Sequence, residues 1–205
     1  MNTFMPYYRR RLPHYQDKEK LYFITLCLAG ALPDSVAKRL SEERQKSLLL
    51  AQFAKGTLNR EDLRTAAERN YFASINGLLD SNPSGPSWLS DPRLADLVRD
   101  SILYRDRGQF DLYAFCIMSN HVHMVMATRQ NLFDVLGSLK KYTARRCNEI
   151  LGRKGRFWQR EYYDRQIRDE EHLRRVIAYV RNNPVKAGLV KDWADWKWTY
   201  VKDGW

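Results

Sequence analysis

Glycine-rich loops, paired cysteines and long apolar runs are all missing from this chain, and each absence narrows what it can do. Neither GxxxxGK[ST] nor GxGxxG occurs, so chemistry driven by ATP or a nicotinamide has no support and no nucleotide cofactor is expected. No apolar stretch approaches the ~20 residues of a membrane span. Residues 1–11 lack the apolar core of a secretory signal, and no membrane partner is expected. The three cysteines, Cys27, Cys116 and Cys147, are scattered, odd in number and form no CxxC pair. They read as buried or incidental thiols of a cytoplasmic protein, not as a disulfide framework. No internal repeat is visible.

Positive charge and aromatic surface are what the chain has in excess. Its 205 residues suit one domain with a sizeable insertion. Lys and Arg outnumber Asp and Glu by 35 to 24, a net charge of +11, which favours a polyanionic partner. Six Trp, twelve Tyr and eight Phe add flat surfaces on which unpaired bases stack. Of the +11, a charge of +7 falls within Ser138–Arg168, where Phe157, Trp158, Tyr162 and Tyr163 are interleaved with the cations. A solvated helix face accounts for Lys140 to Arg146 but not for the aromatic cluster beside GRKGRFWQR. Nucleic-acid binding is the better reading.

The hydrophobic pattern predicts an α/β (α+β) fold: a central antiparallel sheet flanked by helices, with a helical insertion at about 31–90 after the first strand. Strands are expected over 21–28, 110–118, 121–127 and 162–167. Ser119-Asn120 forms a hairpin-length link between the second and third. Helices are expected from Pro33, from Asn59, from Pro92, over Asn131–Leu151 with a stop at Gly152–Gly155, and over 169–183, where Pro184 should end the helix. A Trp-rich tail, 191–205, follows and reads as core packing more than as a base platform.

Of the four histidines, two sit as His121-Val122-His123. On a strand, residues i and i+2 share a face, so two imidazoles stand side by side, suited to a divalent metal. On a solvated face the same pair would be merely two polar residues. On the last helix, Tyr179 and Asn183 are four apart and therefore neighbours, a phenol beside an amide oxygen. Tyr162, with Gln166 four residues on, is a rival pair if that segment is helical. Spacing alone leaves the two tyrosines undecided.

SNHVHMVM, followed by GRFWQR, IRDEEHL and YVRNNPVKAGLV in this order, resembles the REP-associated tyrosine transposases, a branch of the single-tyrosine HUH transposases. The resemblance runs from about Tyr7 to Trp198. It departs at Ser119, where many relatives have proline. It implies a ferredoxin-like or RRM-like sheet, a metal site (Mg²⁺ or Mn²⁺) at His121, His123 and Asn183, and Tyr179 as nucleophile. It also implies single-stranded DNA beside repeat hairpins as partner, in the bacterial cytoplasm at the nucleoid, with the protein a monomer or homodimer. Candidate DNA contacts are Arg9, Arg10, Arg11, Lys140, Lys141, Arg145, Arg146, Lys154, Arg156, Trp158, Arg165 and Arg168. A domesticated hairpin-binding protein that no longer cuts, or a phosphodiesterase that uses water in place of tyrosine, would carry many of the same residues.

Overall fold

The computed structural model describes residues 7–9, 13–15, 20–53, 60–81, 85–128 and 130–205. The chain divides into two compact units: Gly30–Gly85, and Met1–Ala29 together with Pro86–Trp205.

The smaller unit is a helix pair, α1 (Asp34–Phe53) and α2 (Arg60–Ser81). A buried ion pair ties the two together. Arg44 Nε and Nη2 donate to Glu68 Oε2 and Oε1 at 3.0 and 2.7 Å, and the guanidinium lies 5.0 Å from the Tyr71 ring centroid. The expected cap Asn59 lies outside the described residues.

The larger unit begins with a short hairpin, β1 (Tyr7–Arg9) and β2 (Pro13–Tyr15). Its main sheet has β3 (Lys20–Cys27), β4 (Asp111–Ile117), β5 (His121–Thr128), β6 (Tyr163–Ile167) and β7 (Thr199–Val201) in the order β6-β3-β5-β4-β7. Every neighbouring pair is antiparallel. Helix α3 (Pro92–Arg105) crosses from β3 to β4, and α4 (Leu132–Ile150) from β5 to β6. This is the βαββαβ ferredoxin-like arrangement with one added edge strand. Right-handed crossovers put α3 and α4 on one face of the sheet, where Val122, Met124 and Met126 are fully buried. The other face, bearing Phe23, Thr25, His121 and His123, receives α5 (Glu170–Lys186).

Local chemistry explains the boundaries. The link between β4 and β5 closes with Met118 N–H on His121 C=O at 2.9 Å. Asn131 caps α4, its Oδ1 accepting from the Phe133 and Asp134 amides, and Asp169 caps α5 through the His172 amide. Beyond α4, Gly152 takes φ +60°, as the glycine stop requires.

Two expectations need correction. Pro184 does not end the last helix: α5 runs on to Lys186 with the proline inside it. The stop comes at Gly188, which takes φ +70°. The Gly188 and Leu189 amides donate to the Val185 and Pro184 carbonyls at 2.9 Å each, the two bonds of a Schellman motif. Proline has no N–H to give Val180, but this close to the end only one helical bond is lost. The second concerns the tail, read as core packing, whose part in the fold is at the sheet edge. It supplies strand β7, and it is anchored by Trp196 Nε1 donating to Ile117 C=O and Trp198 Nε1 to Asp96 at 3.0 and 2.9 Å.

Leu136, wholly buried on α4, carries this packing. Leu136→Ala should cost about 2–5 kcal/mol, read as a lower urea midpoint at unchanged slope.

Candidate active site

Three separate stretches of chain supply the candidate site. Antiparallel register sets Cys27 opposite His121 and Thr25 opposite His123. Directly opposed residues share a face, and the hydroxyl of Thr25 accordingly lies 3.0 Å from His123 Nδ1. His121 Nδ1 is 2.6 Å from Asn120 Oδ1, and the two Nε2 atoms stand 3.0 Å apart. An amide oxygen only accepts, so His121 holds its proton on Nδ1 and leaves a lone pair on Nε2. A hydroxyl both donates and accepts, so Thr25 suits either tautomer of His123. With Thr25 accepting, both Nε2 lone pairs are available on the same side, the usual form of outer partners that orient metal-binding imidazoles.

The pair does not lie on a solvated face: His121 is 1% and His123 0% exposed. Burial, and then the charges of His121 and Lys186, hold His123 well below the usual imidazole range, so it is neutral at physiological pH.

Helix α5 brings Tyr179 to this point. Its ring meets His123 at 5.4 Å and Phe23 at 5.9 Å between centroids, edge-on in both contacts. One turn further, Asn183 is 1% exposed, and neither its Oδ1 nor its Nδ2 has a hydrogen-bond partner among the described residues. An unmatched buried amide costs about 1–3 kcal/mol, so this one calls for an occupant. Tyr179 and Lys186 bracket Asn183 along the helix, and both act on His123. Asn183 therefore lies on the flank that faces the histidines. It is not a capping residue; the cap is Ala187. Continuation of the helix through Pro184 keeps Asn183 in register with Tyr179.

Among the described residues, no three His, Cys, Asp or Glu side chains come together to hold a metal. Asn183 offers a neutral oxygen on the helix flank that faces the histidine pair. Tyr162 does not share this site. It is buried under the Lys140 ammonium, 5.9 Å from its ring centroid. Gln166 lies in β6 opposite Tyr22, in extended chain, so no helical Tyr162–Gln166 pair forms. Buried Cys27 and Cys147 have thiols pushed up to about 12 by desolvation, which makes them inert as nucleophiles.

The basic residues are dispersed. Lys140, Lys141, Arg156 and Trp158 line one groove between α4 and the segment 155–162. Within it, Lys140 Nζ donates to the Gln159 and Arg160 carbonyls, and buried Trp158 donates its indole N–H to Thr143. Arg145 and Lys154 are exposed, and Arg146 pairs with Glu149. Arg165 lies in β6 opposite Phe23, Arg168 is exposed just beyond that strand, and Arg9 lies in β1. Arg10 and Arg11 lie outside the described residues. Sequence reasoning missed Phe23, Thr25 and Asn120. Only Thr25, the one aliphatic hydroxyl within the LYFITLCL run, gave a signal.

Residues 93–183 match the family model "Transposase IS200 like". The chain is 29% identical over 100 residues to the REP-associated tyrosine transposase of Escherichia coli K12. It is 24% identical over 102 residues to a Haemophilus influenzae protein given the same designation provisionally. The matches take in 48% and 44% of this chain, which spans only 59% and 58% of those relatives. A solved REP-associated tyrosine transposase bound to a REP hairpin is 20% identical, with a TM-score of 0.49 over 95% of this chain and 82% of that one. The resemblance read from the motifs is borne out.

The depressed His123 and His172 make stability depend on pH. As pH falls below about 6.5, the unfolded chain takes up these protons first, so the folded state loses its advantage. Urea unfolding without divalent ions should show full stability above pH 7 and a decline below 6.5. The slope should be up to about 1.4 kcal/mol per pH unit for each histidine, and shallower in His123→Gln.

Proposed function

We propose that the chain, whose residues 93–183 match the family model of IS200-like transposases, is a metal-dependent single-stranded DNA endonuclease and strand transferase, with Tyr179 as its nucleophile. The observation that carries the reading is the placement of the Tyr179 ring against His123, between elements far apart in sequence. DNA carrying repeat hairpins is the proposed substrate, in keeping with the REP-associated designation of the two curated relatives.

His121, His123 and Asn183 fit a divalent ion, Mg²⁺ or Mn²⁺. They offer two neutral imidazoles and a buried amide without a partner. When bound there, the ion supplies Lewis-acid stabilisation of charge on a phosphoryl oxygen. The remaining chemistry belongs to the chain. Phe23 and the His123 ring edge hold the phenol in one orientation. Tyr179 Oη attacks phosphorus, its proton leaves to solvent, and the P–O3′ bond breaks. A 5′-phosphotyrosine and a free 3′-OH result, the latter taking up a proton. Reversal with a second 3′-OH rejoins strands without ATP, because the phosphodiester energy is kept in the covalent link.

Incubation with labelled hairpin oligonucleotides and Mn²⁺ should give a covalent adduct on a denaturing gel, absent in Tyr179→Phe. An adduct that persists in that variant would overturn the assignment of the nucleophile. Hydrolysis without an adduct would favour a water-using phosphodiesterase. Tight binding with neither product would favour a domesticated binder.

Thr25→Val keeps shape but leaves His123 Nδ1 without its partner, and should weaken Mn²⁺ binding by about 10–100-fold in titration calorimetry. Thr25→Ser should restore it.

A further inference from the structure

The side chains gathered at the candidate site bring little positive charge of their own. Thr25 and Asn183 have none, and burial holds His123 neutral. The cations Lys140 and Lys141 belong to α4, which packs on the other face of the sheet. Arg165 is on the near face, in β6 opposite Phe23, but its charge falls on His172, two helical turns before Tyr179. The fixed cation that does bear on the site is Lys186, whose charge reaches the buried His123.

Helix α5 accounts for that reach. With 3.6 residues per turn and 1.5 Å of rise, Lys186 stands about 20° from Tyr179 around the axis and about 10 Å beyond it, with Asn183 between them. Helical side chains lean toward the N-terminus, so the Lys186 stem points back over Asn183. Asn183 is buried and Lys186 exposed, so this flank runs from the interior to the open surface. A helix that stopped at Pro184 would have left Lys186 in a loop. A lysine in the last turn has a plainer use, to offset the carbonyl end of the helix dipole. Here, though, the amides of Ala187, Gly188 and Leu189 already occupy the Asn183, Val185 and Pro184 carbonyls.

We propose that Lys186 holds the phosphate that Tyr179 attacks, its ammonium on a non-bridging oxygen at the mouth of the site. The chemistry calls for such a group. A phosphodiester enters with one negative charge, and attack by the phenol brings more charge onto the non-bridging oxygens, where a fixed cation offsets it. Lysine binds phosphate as a point charge with three rotatable donors, which suits a single oxygen approached from one side. Its place on the same flank as Tyr179 then sets which phosphate of the strand lies before the phenol.

The inference rests on the proposed role of Tyr179, and the test separates the two. Hairpin oligonucleotides with single-stranded flanks are titrated by fluorescence anisotropy in EDTA, with each flank phosphate replaced in turn by a neutral methylphosphonate. Addition of Mn²⁺ to the unmodified oligonucleotide then shows which phosphate becomes linked to Tyr179. In the wild type and in Lys186→Arg, methylphosphonate at that phosphate should weaken binding about tenfold. In Lys186→Gln the loss should vanish there and persist elsewhere, and the salt slope should fall by about 0.7, the share of one single-strand phosphate. Adduct formation at saturating protein should slow at least about tenfold in Lys186→Gln and recover in Lys186→Arg. Circular dichroism melting checks that each variant is folded, and Lys186→Met replaces Lys186→Gln if it is not. A charge that serves only the helix end would lower the melting temperature and leave the methylphosphonate pattern as in the wild type, which overturns the inference. Coupling of Lys186 to a phosphate other than the one cut overturns it too, with the role of Tyr179 untouched. Failure of every oligonucleotide to bind, or binding without any adduct, defeats the reading of Tyr179 itself and the assignment of Lys186 with it.

Discussion

The site depends on a register. The pairing of β3 with β5 sets Thr25 opposite His123 and Cys27 opposite His121. A slip of one residue would turn every β3 side chain to the other face. Ile24 or Leu26 would then meet the imidazole, and Nδ1 of His123 would face a hydrocarbon. Apolar content on both faces enforces this register. Tyr22, Ile24 and Leu26 pack with the face that carries Met124, while Phe23 packs under Tyr179. The polar constellation is thus held by the hydrophobic pattern around it. Two buried histidines, a threonine and an asparagine stay in one arrangement because the chain cannot bury its apolar residues in another way.

Helix α5 completes the arrangement through a similar dependence. Tyr179, Asn183 and Lys186 lie along one flank only while the helix is continuous. Its continuity past Pro184 is secured by the glycine stop at 188 and not by the proline. The Pro184 carbonyl is itself an acceptor in that stop. A residue that reads as a helix breaker therefore sits within the terminating structure and leaves the turn that carries Tyr179 and Asn183 intact.

Most of the framework was legible in the sequence because it rests on periodicity. The alternation in HVHMVMA, the three-and-four spacing of Leu132, Leu136, Leu139, Thr143 and Cys147, and the caps Asn131 and Asp169 each state a local preference that the fold retains. Tyr179 and Asn183 were legible as a pair through their spacing, though only the resemblance separated them from Tyr162. The features that were not legible are those decided by distant partners. Strand β7 has three residues and exists because β4 offers an edge. Lys140 carries the same charge as Lys141, yet one closes a loop by binding carbonyls and the other faces solvent. Asn120 and Thr25 are ordinary polar residues until the sheet puts them beside an imidazole.

The strand order has a consequence in time. The two histidines meet their hairpin neighbours across a two-residue link, a contact that closes in microseconds. Thr25 is 98 residues from His123, and Tyr179 is further along than both. Contacts of such separation form late in folding. On a ribosome adding about 5–20 residues per second, the histidine hairpin precedes α5 by roughly 2–10 seconds. A growing chain therefore has its candidate metal ligands on β5 well before it has a nucleophile. Under the proposed chemistry, an unfinished molecule bound to DNA would grip it without cutting.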